Sequence, residues 1–228
     1  MLESEISAKD ILAWDIRNWS RALKYWEKFV QPTKKLKCLE LGAHKGGISL
    51  WLASKGHEVV CSDIDDVNEE VKKFHKQFQM NGTISYEKID ATSIPYENYF
   101  DIIILKSVLG GVGRQANTDK VHLAIAEIHK ALSSGGVFLF AENLNGTKLH
   151  VIIRESVKTW VKNNWNYLKL KDIKNLFKKF KEFNYKTTGF LGAFGFYEPI
   201  RNIFGVFDAL LNFLPGNWHY IIYGYTKK

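Results

Sequence analysis

The chain has 228 residues, 46% of them hydrophobic, with seven tryptophans, 15 phenylalanines and a formal net charge of +8. That is enough apolar material for one well-filled core, and a single domain with elaborations is expected. The opening residues mix acidic and basic groups, so no signal-peptide apolar region is expected. No apolar run is long enough to cross a bilayer, so a cytoplasmic location is expected. Cys38 and Cys61 fall in apolar, strand-like runs and read as buried free thiols. No Cys/His spacing suits a metal. The basic balance permits anionic partners, although the lysines of Lys169–Lys181 read as a solvated helix face.

In chain order, Ser7 with Asp10 forms a capping box, and Ile16, Trp19, Leu23, Trp26 and Val30 follow it as a helical stripe that ends at Gln31-Pro32. Leu36–Leu41 predicts a buried strand, followed by a glycine-rich turn and a helix over Ile48–Ser54. His57–Ser62 predicts a second strand, and Asp66 with Glu69 caps a helix running to about Asn81. Ile84–Ile89 and Phe100–Leu105 predict the third and fourth strands. Thr118 opens a helix with Val121, Ala124, Ile128 and Leu132 on one face, stopped by Gly135-Gly136 before a fifth strand over Val137–Glu142. Strands alternating with helices imply a parallel sheet covered on both sides.

The remainder is less regular. A helix is expected near Val151–Val161, then a basic helix with the stripe Leu170, Ile173, Phe177 and Phe180, then a strand over Phe183–Phe190. Pro199 opens a helix whose residues Ile200, Ile203, Phe204, Phe207, Leu210, Leu211 and Leu214 are expected to face inward. Trp218–Thr226 closes the chain as a strand. Together the two closing strands predict an antiparallel addition at the sheet edge.

Gly42, Gly46 and Gly47 stand at the turn after the first strand, where missing Cβ atoms let backbone approach a ligand. Glu40, Asp63 and Asp90 sit at the ends of three successive strands, the edge at which parallel sheets bind ligands. Asp63 is placed for ribose hydroxyls, and Asp90-Ala91 for an adenine edge. The segments Glu40-x-Gly42-x-His44-x-Gly46, Asp63, Asp90-Ala91, Ile94-Pro95 and Phe100-Asp101 resemble the motifs of class I S-adenosylmethionine-dependent methyltransferases over residues 36–142. The departure is His44 in place of the middle glycine. The resemblance implies a Rossmann-like α/β fold, a seven-stranded sheet mostly parallel with an antiparallel last strand and helices on both faces. It divides the single domain 1–228 into an N-terminal helical lid (1–35), a cofactor core (36–142) and substrate-side additions (143–228). It implies S-adenosyl-L-methionine as cofactor and S-adenosyl-L-homocysteine as product, held by Glu40, Gly42, Ala43, His44, Gly46, Asp63, Ile64, Asp90, Ala91 and Lys106.

Two alternatives stay open: an NAD(P)-dependent oxidoreductase, because Gly42-x-His44-x-x-Gly47 partly mimics a dinucleotide fingerprint, and a non-catalytic cofactor-binding module. His44 would obstruct a pyrophosphate, which disfavours the first. Catalytic candidates are His150, Lys106 and Arg154. His150 suits a general base at neutral pH, its competing role being a helix cap. Lys106, Arg114, Lys148 and Arg154 can form a basic rim for a phosphate or carboxylate, whose competing role is solubilising charge. Glu142 and Asn143 also lie at this edge, and Trp160, Trp165 and Tyr167 can stack on sugar faces.

Motifs of the nucleic-acid base and arginine methyltransferases are missing, so no nucleic acid partner is expected, and half a catechol-type metal site is missing, so no metal is expected. The segments Trp14-Asp15-Ile16-Arg17-Asn18-Trp19-Ser20-Arg21, Lys106-Ser107-Val108-Leu109-Gly110-Gly111 and Ala141-Glu142-Asn143-Leu144 resemble bacterial methyltransferases of surface-polysaccharide biosynthesis. That resemblance implies a small-molecule or glycan acceptor, a sugar hydroxyl or a phosphate-bearing sugar. Peripheral membrane contact through the Pro199–Leu214 stripe is the less favoured reading, since the stripe's polar face is not notably basic. The oligomeric state is left open.

Overall fold

The computed structural model describes residues 6–157 and 164–228. Seven strands, β1 (Lys37–Leu41), β2 (Glu58–Asp63), β3 (Thr83–Lys88), β4 (Phe100–Lys106), β5 (Leu132–Asn143), β6 (Glu182–Thr188) and β7 (Ile221–Lys227), form one sheet. Their order is β3-β2-β1-β4-β5-β7-β6. β1 pairs in parallel with β2 and β4, β2 with β3 and β4 with β5, whereas β7 runs antiparallel between β5 and β6. The expected parallel sheet with an antiparallel closing strand is what forms. β7 inserts inside β6 rather than extending the edge.

Helices cover both faces: α1 (Ala8–Ile11), α2 (Ile16–Trp26), α3 (Gly47–Ser54), α4 (Glu69–His75), α5 (Leu109–Val112), α6 (Thr118–Ala131), α7 (Lys148–Ser156), α8 (Leu170–Leu176) and α9 (Glu198–Leu210). One face carries the cluster of Leu39, Leu41, Ile103, Leu105, Phe138 and Phe140 against α6 and the aromatic turn Phe177–Phe180. The other buries Trp19, Trp26, Leu52, Ile102, Ile104 and Tyr223. Trp19 and Trp26 are fully buried, each worth several kcal/mol by the ~25 cal/mol/Å² bookkeeping for their area. The stripe on α2 thus anchors the N-terminal segment to the sheet. Lys169, Lys171, Lys174, Lys178, Lys179 and Lys181 are exposed, as a solvated face requires.

Several element boundaries differ from the sequence reading. The capping box of Ser7 and Asp10 forms, with Asp10 Oδ2 accepting from Ser7 N at 2.8 Å, but it opens only the single turn α1. α2 starts separately because Asp15 takes a left-handed conformation (φ 45°), and its first N–H groups are capped by a distant carboxylate. Glu198 accepts from Asp15 N at 2.7 Å and Ile16 N at 2.8 Å. Asn68 rather than Asp66 caps α4, accepting from Glu70 N at 3.0 Å, and the helix ends at His75. Asn117 rather than Thr118 caps α6. β5 begins at Leu132, so Gly135-Gly136 lie within the strand's irregular start. α8 stops at Leu176, and Phe177 and Phe180 are buried from the turn beyond it. Of the helix expected near Val151–Val161, residues 158–161 lie outside the described residues.

The largest departure concerns α9. Ile203, Phe207 and Leu210, expected inward, are 57%, 50% and 70% exposed, while Gly205 and Asp208 are its buried residues.

Candidate active site

The order β3-β2-β1-β4 places a switch point between β1 and β4, where the chain leaves the sheet in opposite directions and a crevice opens at the strand ends. A cavity of about 750 Å³ lies there. Its floor is made by the turns after β1, β2, β3 and β4: Gly42 and His44, Asp63 and Ile64, Asp90 and Ala91, and Lys106 to Val108. Of the ten residues expected to hold a cofactor, these strand-end turns bring seven to one cavity.

The β1–α3 turn has two left-handed glycines, Gly42 (φ 67°) and Gly46 (φ 70°), with His44 also left-handed at φ 50°. His44 therefore occupies a backbone conformation that glycine adopts freely, at a cost of roughly 1–2 kcal/mol for an L-residue. Its N–H donates to Asp63 Oδ2 at 2.9 Å, and Ile64 N donates to Asp63 Oδ1 at 2.8 Å. The Asp63 carboxylate thus ties the first turn to the second and keeps lone pairs for a ligand. Ile64 beside it is 61% exposed although apolar, so the cavity presents an uncovered hydrophobic wall next to a carboxylate. Asp90 is half-committed: Oδ1 accepts from Thr92 N and Oγ1, both at 2.8 Å.

Three of the ten expected residues do not line the cavity. Glu40 is buried behind the turn, where Oε2 accepts from Ser49 N at 2.8 Å and Ser49 Oγ at 2.5 Å. It anchors the start of α3, a favourable place for a carboxylate at a helix N-terminus. Ala43 packs with Cys61, Val67 and Val71. Gly46 sits under His75, whose Nε2 lies 2.8 Å from the Gly46 carbonyl. Gly47 serves a different close approach: a Cβ there would stand 2.4 Å from the carbonyl oxygens of Asp10 and Ile11. Its missing side chain lets α1 rest on α3.

Lys106, at the end of β4, lines the cavity with its Nζ 5.0 Å from the ring centre of Trp19 and 5.6 Å from that of Trp14. Burial pulls its pKa down to about 8, against the attraction of Glu142, Glu40 and Asp15. Burial pushes each of those carboxyls up to about 7. Glu142 Oε1 accepts from Val108 N at 2.6 Å and Leu109 N at 2.7 Å, holding the loop after β4. Asp15 accepts hydrogen bonds from Tyr220 Oη and from Asn18 Nδ2, and Tyr220 lines the cavity.

Arg154 also reaches the cavity, its guanidinium 3.9 Å from the Tyr167 ring centre and its Nη1 donating to the Leu144 carbonyl at 2.8 Å. Arg114, Asn143, Trp165 and Tyr167 line the same space. Arg154, Trp165 and Tyr167 form a shared wall with a second cavity of about 690 Å³. Lys148 is exposed on α7 and absent from both linings, and Trp160 lies outside the described residues.

His150 is placed elsewhere than its role as a base requires. It is 1% exposed, with Nδ1 3.0 Å from Thr147 N and Nε2 2.9 Å from the Phe190 carbonyl. Both ring nitrogens are engaged in capping α7 and tying it to the 190s turn, and the residue does not line the cavity. Thr147 three residues before it was the local signal for this cap. The sequence reading gave no site role to Gly192, Ala193, Arg201 and Tyr220, which the turn Leu191–Phe194, α9 and the residue before β7 bring to the cavity beside Trp14 of the N-terminal segment. Only the tertiary fold assembles these. Among the described residues no cluster of three or more His, Cys, Asp or Glu groups could hold a metal ion.

Residues 39–140 match the family described as a methyltransferase domain. Comparison with curated proteins finds no match. Among solved structures, the chain is similar to phosphoethanolamine N-methyltransferase 2 of Haemonchus contortus in complex with phosphomonomethylethanolamine and S-adenosylhomocysteine (18% identity, TM-score 0.61, covering 92% of this chain and 52% of that one). It therefore spans about half the length of that enzyme. A SAM-dependent methyltransferase from Archaeoglobus fulgidus is 15% identical with a TM-score of 0.61, over 97% of this chain and 95% of that one. The 1,6-didemethyltoxoflavin-N1-methyltransferase of Burkholderia thailandensis, with bound 1,6-didemethyltoxoflavin and S-adenosylhomocysteine, is 11% identical (TM-score 0.60, 96% of this chain, 81% of that one). At these identities the likeness is one of fold. The fold is that of the Rossmann-like methyltransferases, with its cavity at the switch point. The match to a methyltransferase domain spans β1 to β5, the strands whose ends form the floor of that cavity.

Proposed function

We propose that the chain transfers a methyl group from S-adenosylmethionine to a small anionic acceptor, a sugar hydroxyl or a phosphate-bearing sugar of surface-polysaccharide assembly, leaving S-adenosylhomocysteine. The observation that carries the donor half is the pairing of Asp63, fixed by the N–H groups of His44 and Ile64, with the exposed Ile64 side chain on the cavity wall. A carboxylate beside an uncovered apolar wall suits a ribose and its attached base. Gly42, His44, Asp63, Ile64, Asp90, Ala91 and Lys106 would hold the donor; Glu40, Ala43 and Gly46 would support the turn from behind. When bound, the donor supplies an electrophilic methyl group on a sulfonium, open to in-line displacement.

The acceptor half rests on cations converging on the same cavity. Lys106, Arg114, Arg154 and Arg201 line it, with Trp165 and Tyr167 as aromatic surfaces. Such a set suits a phosphate or carboxylate joined to a flat-faced sugar. With the ammonium of Lys106 pulled to about 8, a neutral fraction exists near physiological pH. Neutral Lys106 can take the proton of an acceptor hydroxyl as the oxygen gains the methyl group. Arg154, which lines the same cavity, orients the acceptor.

Calorimetry with S-adenosylmethionine tests the donor half: the wild type should bind, and Asp63→Ala should lose binding by roughly 30-fold or more, the loss of ~2 kcal/mol expected of charge-assisted hydrogen bonds. Heat with NAD instead, or with neither ligand, would reject it. Transfer of radiolabelled methyl to phosphorylated sugars, set against neutral sugars, tests the acceptor half.

A further inference from the structure

α9 is built with its polarity inverted. Glu198, Arg201, Gly205 and Asp208 recur at helical spacing on one side, and Ile200, Ile203, Phe207 and Leu210 recur on the opposite side. The polar stripe faces the protein. Glu198 caps α2, and Arg201 Nε donates to the Gly195 carbonyl at 2.7 Å. Asp208 accepts from Phe190 N, Leu191 N and Gly192 N at 2.9, 2.6 and 3.0 Å, and from Asn18 Nδ2 at 2.9 Å. The apolar stripe faces out and continues into Phe213, which is 80% exposed. On α7, which packs on the same turn Leu191–Phe194, Leu149 and Ile152 are also exposed. An apolar surface of this extent marks an interaction site.

Charge decides what covers it. From Pro199 to Trp218 the only acidic residue is Asp208, which is buried and fully engaged. Arg17 of α2 is exposed and lays its stem on Gly205, and Arg21 Nη1 reaches Asn212 Oδ1 at 2.9 Å, so the helix is flanked by arginines. Two copies meeting through this face about a two-fold axis would bring like arginine borders together. An anionic lipid surface meets both the apolar stripe and its basic border. Among the described residues no helix is long and apolar enough to span a membrane, so the contact would lie in the plane of the interface.

We propose that the outward face of α9 seats this protein on an anionic lipid bilayer. The inner face of the same helix supplies Arg201 to the cavity mouth, and the turn held by Asp208 supplies Gly192 and Ala193. Resting on the proposed methyl transfer, this places the cavity beside the lipid headgroups, where an acceptor carried on a lipid anchor would present its polar head.

Co-sedimentation of the full chain with vesicles tests the docking without any methyl transfer. Vesicles of phosphatidylcholine containing phosphatidylglycerol should bring down the wild type, and phosphatidylcholine alone should bind it at least about tenfold more weakly. The double variant Phe207→Ser, Leu210→Ser changes only exposed side chains; it should lose at least about tenfold in vesicle affinity while calorimetry with S-adenosylmethionine is unchanged. Arg17→Ala should weaken binding to the anionic vesicles alone. A wild type that stays in the supernatant with anionic vesicles overturns the proposal, as does a dimer in sizing chromatography that the double variant converts to monomer. Failure of the calorimetry with intact vesicle binding would instead reject the methyl-donor reading and leave the docking standing.

Discussion

Asp208→Ala is the perturbation that reaches furthest through this structure. The carboxylate is 1% exposed and accepts four hydrogen bonds, three from the consecutive N–H groups of Phe190, Leu191 and Gly192 and one from the Asn18 amide. Alanine leaves those donors facing a hole. An unsatisfied buried donor costs ~1–3 kcal/mol, and water entering the hole recovers part of that. The net loss should be about 3–5 kcal/mol, comparable with breaking one side of a buried charged network. For a chain of this size that corresponds to a fall in Tm of roughly 6–20 °C. Asp208→Asn keeps the shape but turns an NH2 group toward donors, so it should fall between wild type and alanine. Urea unfolding and calorimetric Tm measure both. Because Gly192, Ala193 and Arg201 line the cavity, ligand affinity of the folded alanine variant should drop as well. A loss under ~1 kcal/mol would show that the turn and α9 hold their places without this carboxylate, and the account of the inverted helix would fail.

Two further substitutions probe the cavity floor. Glu142 is held protonated up to about 7 by burial, so between its ordinary range and that value the native state keeps a proton the unfolded chain has lost. Stability should therefore fall as pH rises through that window; Glu142→Gln should reduce the fall, measured by urea unfolding at several pH values. The same variant removes a carboxylate that holds the Lys106 pKa up, so the rise of methyl transfer with pH should move to lower pH, and an unmoved profile would exclude Lys106 as the base. Gly47→Ala puts a Cβ against the Asp10 and Ile11 carbonyls, which must move apart. It should cost about 1–3 kcal/mol, with weaker donor binding because Ala13 and Trp14 follow directly on α1 and line the cavity; unchanged values of both would mean that α1 shifts freely.

What the sequence by itself determined was local and periodic. The β-to-α turn at Gly42–Gly47, the carboxylates at strand ends and the alternation of elements rest on short-range backbone and patterning rules, and the parallel core follows from them. Even His44 is explained locally, by a left-handed backbone that asks for glycine and tolerates other residues at a cost. The tertiary structure decided whatever depended on partners distant in the chain. Glu198 caps α2 across the chain, which is why one expected helix became two. Thr147 and the Phe190 carbonyl take both nitrogens of His150, which removes it from the cavity. Periodicity located both stripes of α9 but could not say which side turns inward. Hydrophobic burial argued for the apolar side, and the hydrogen bonds of Glu198, Arg201 and Asp208, invisible until their partners were in place, turned the helix the other way.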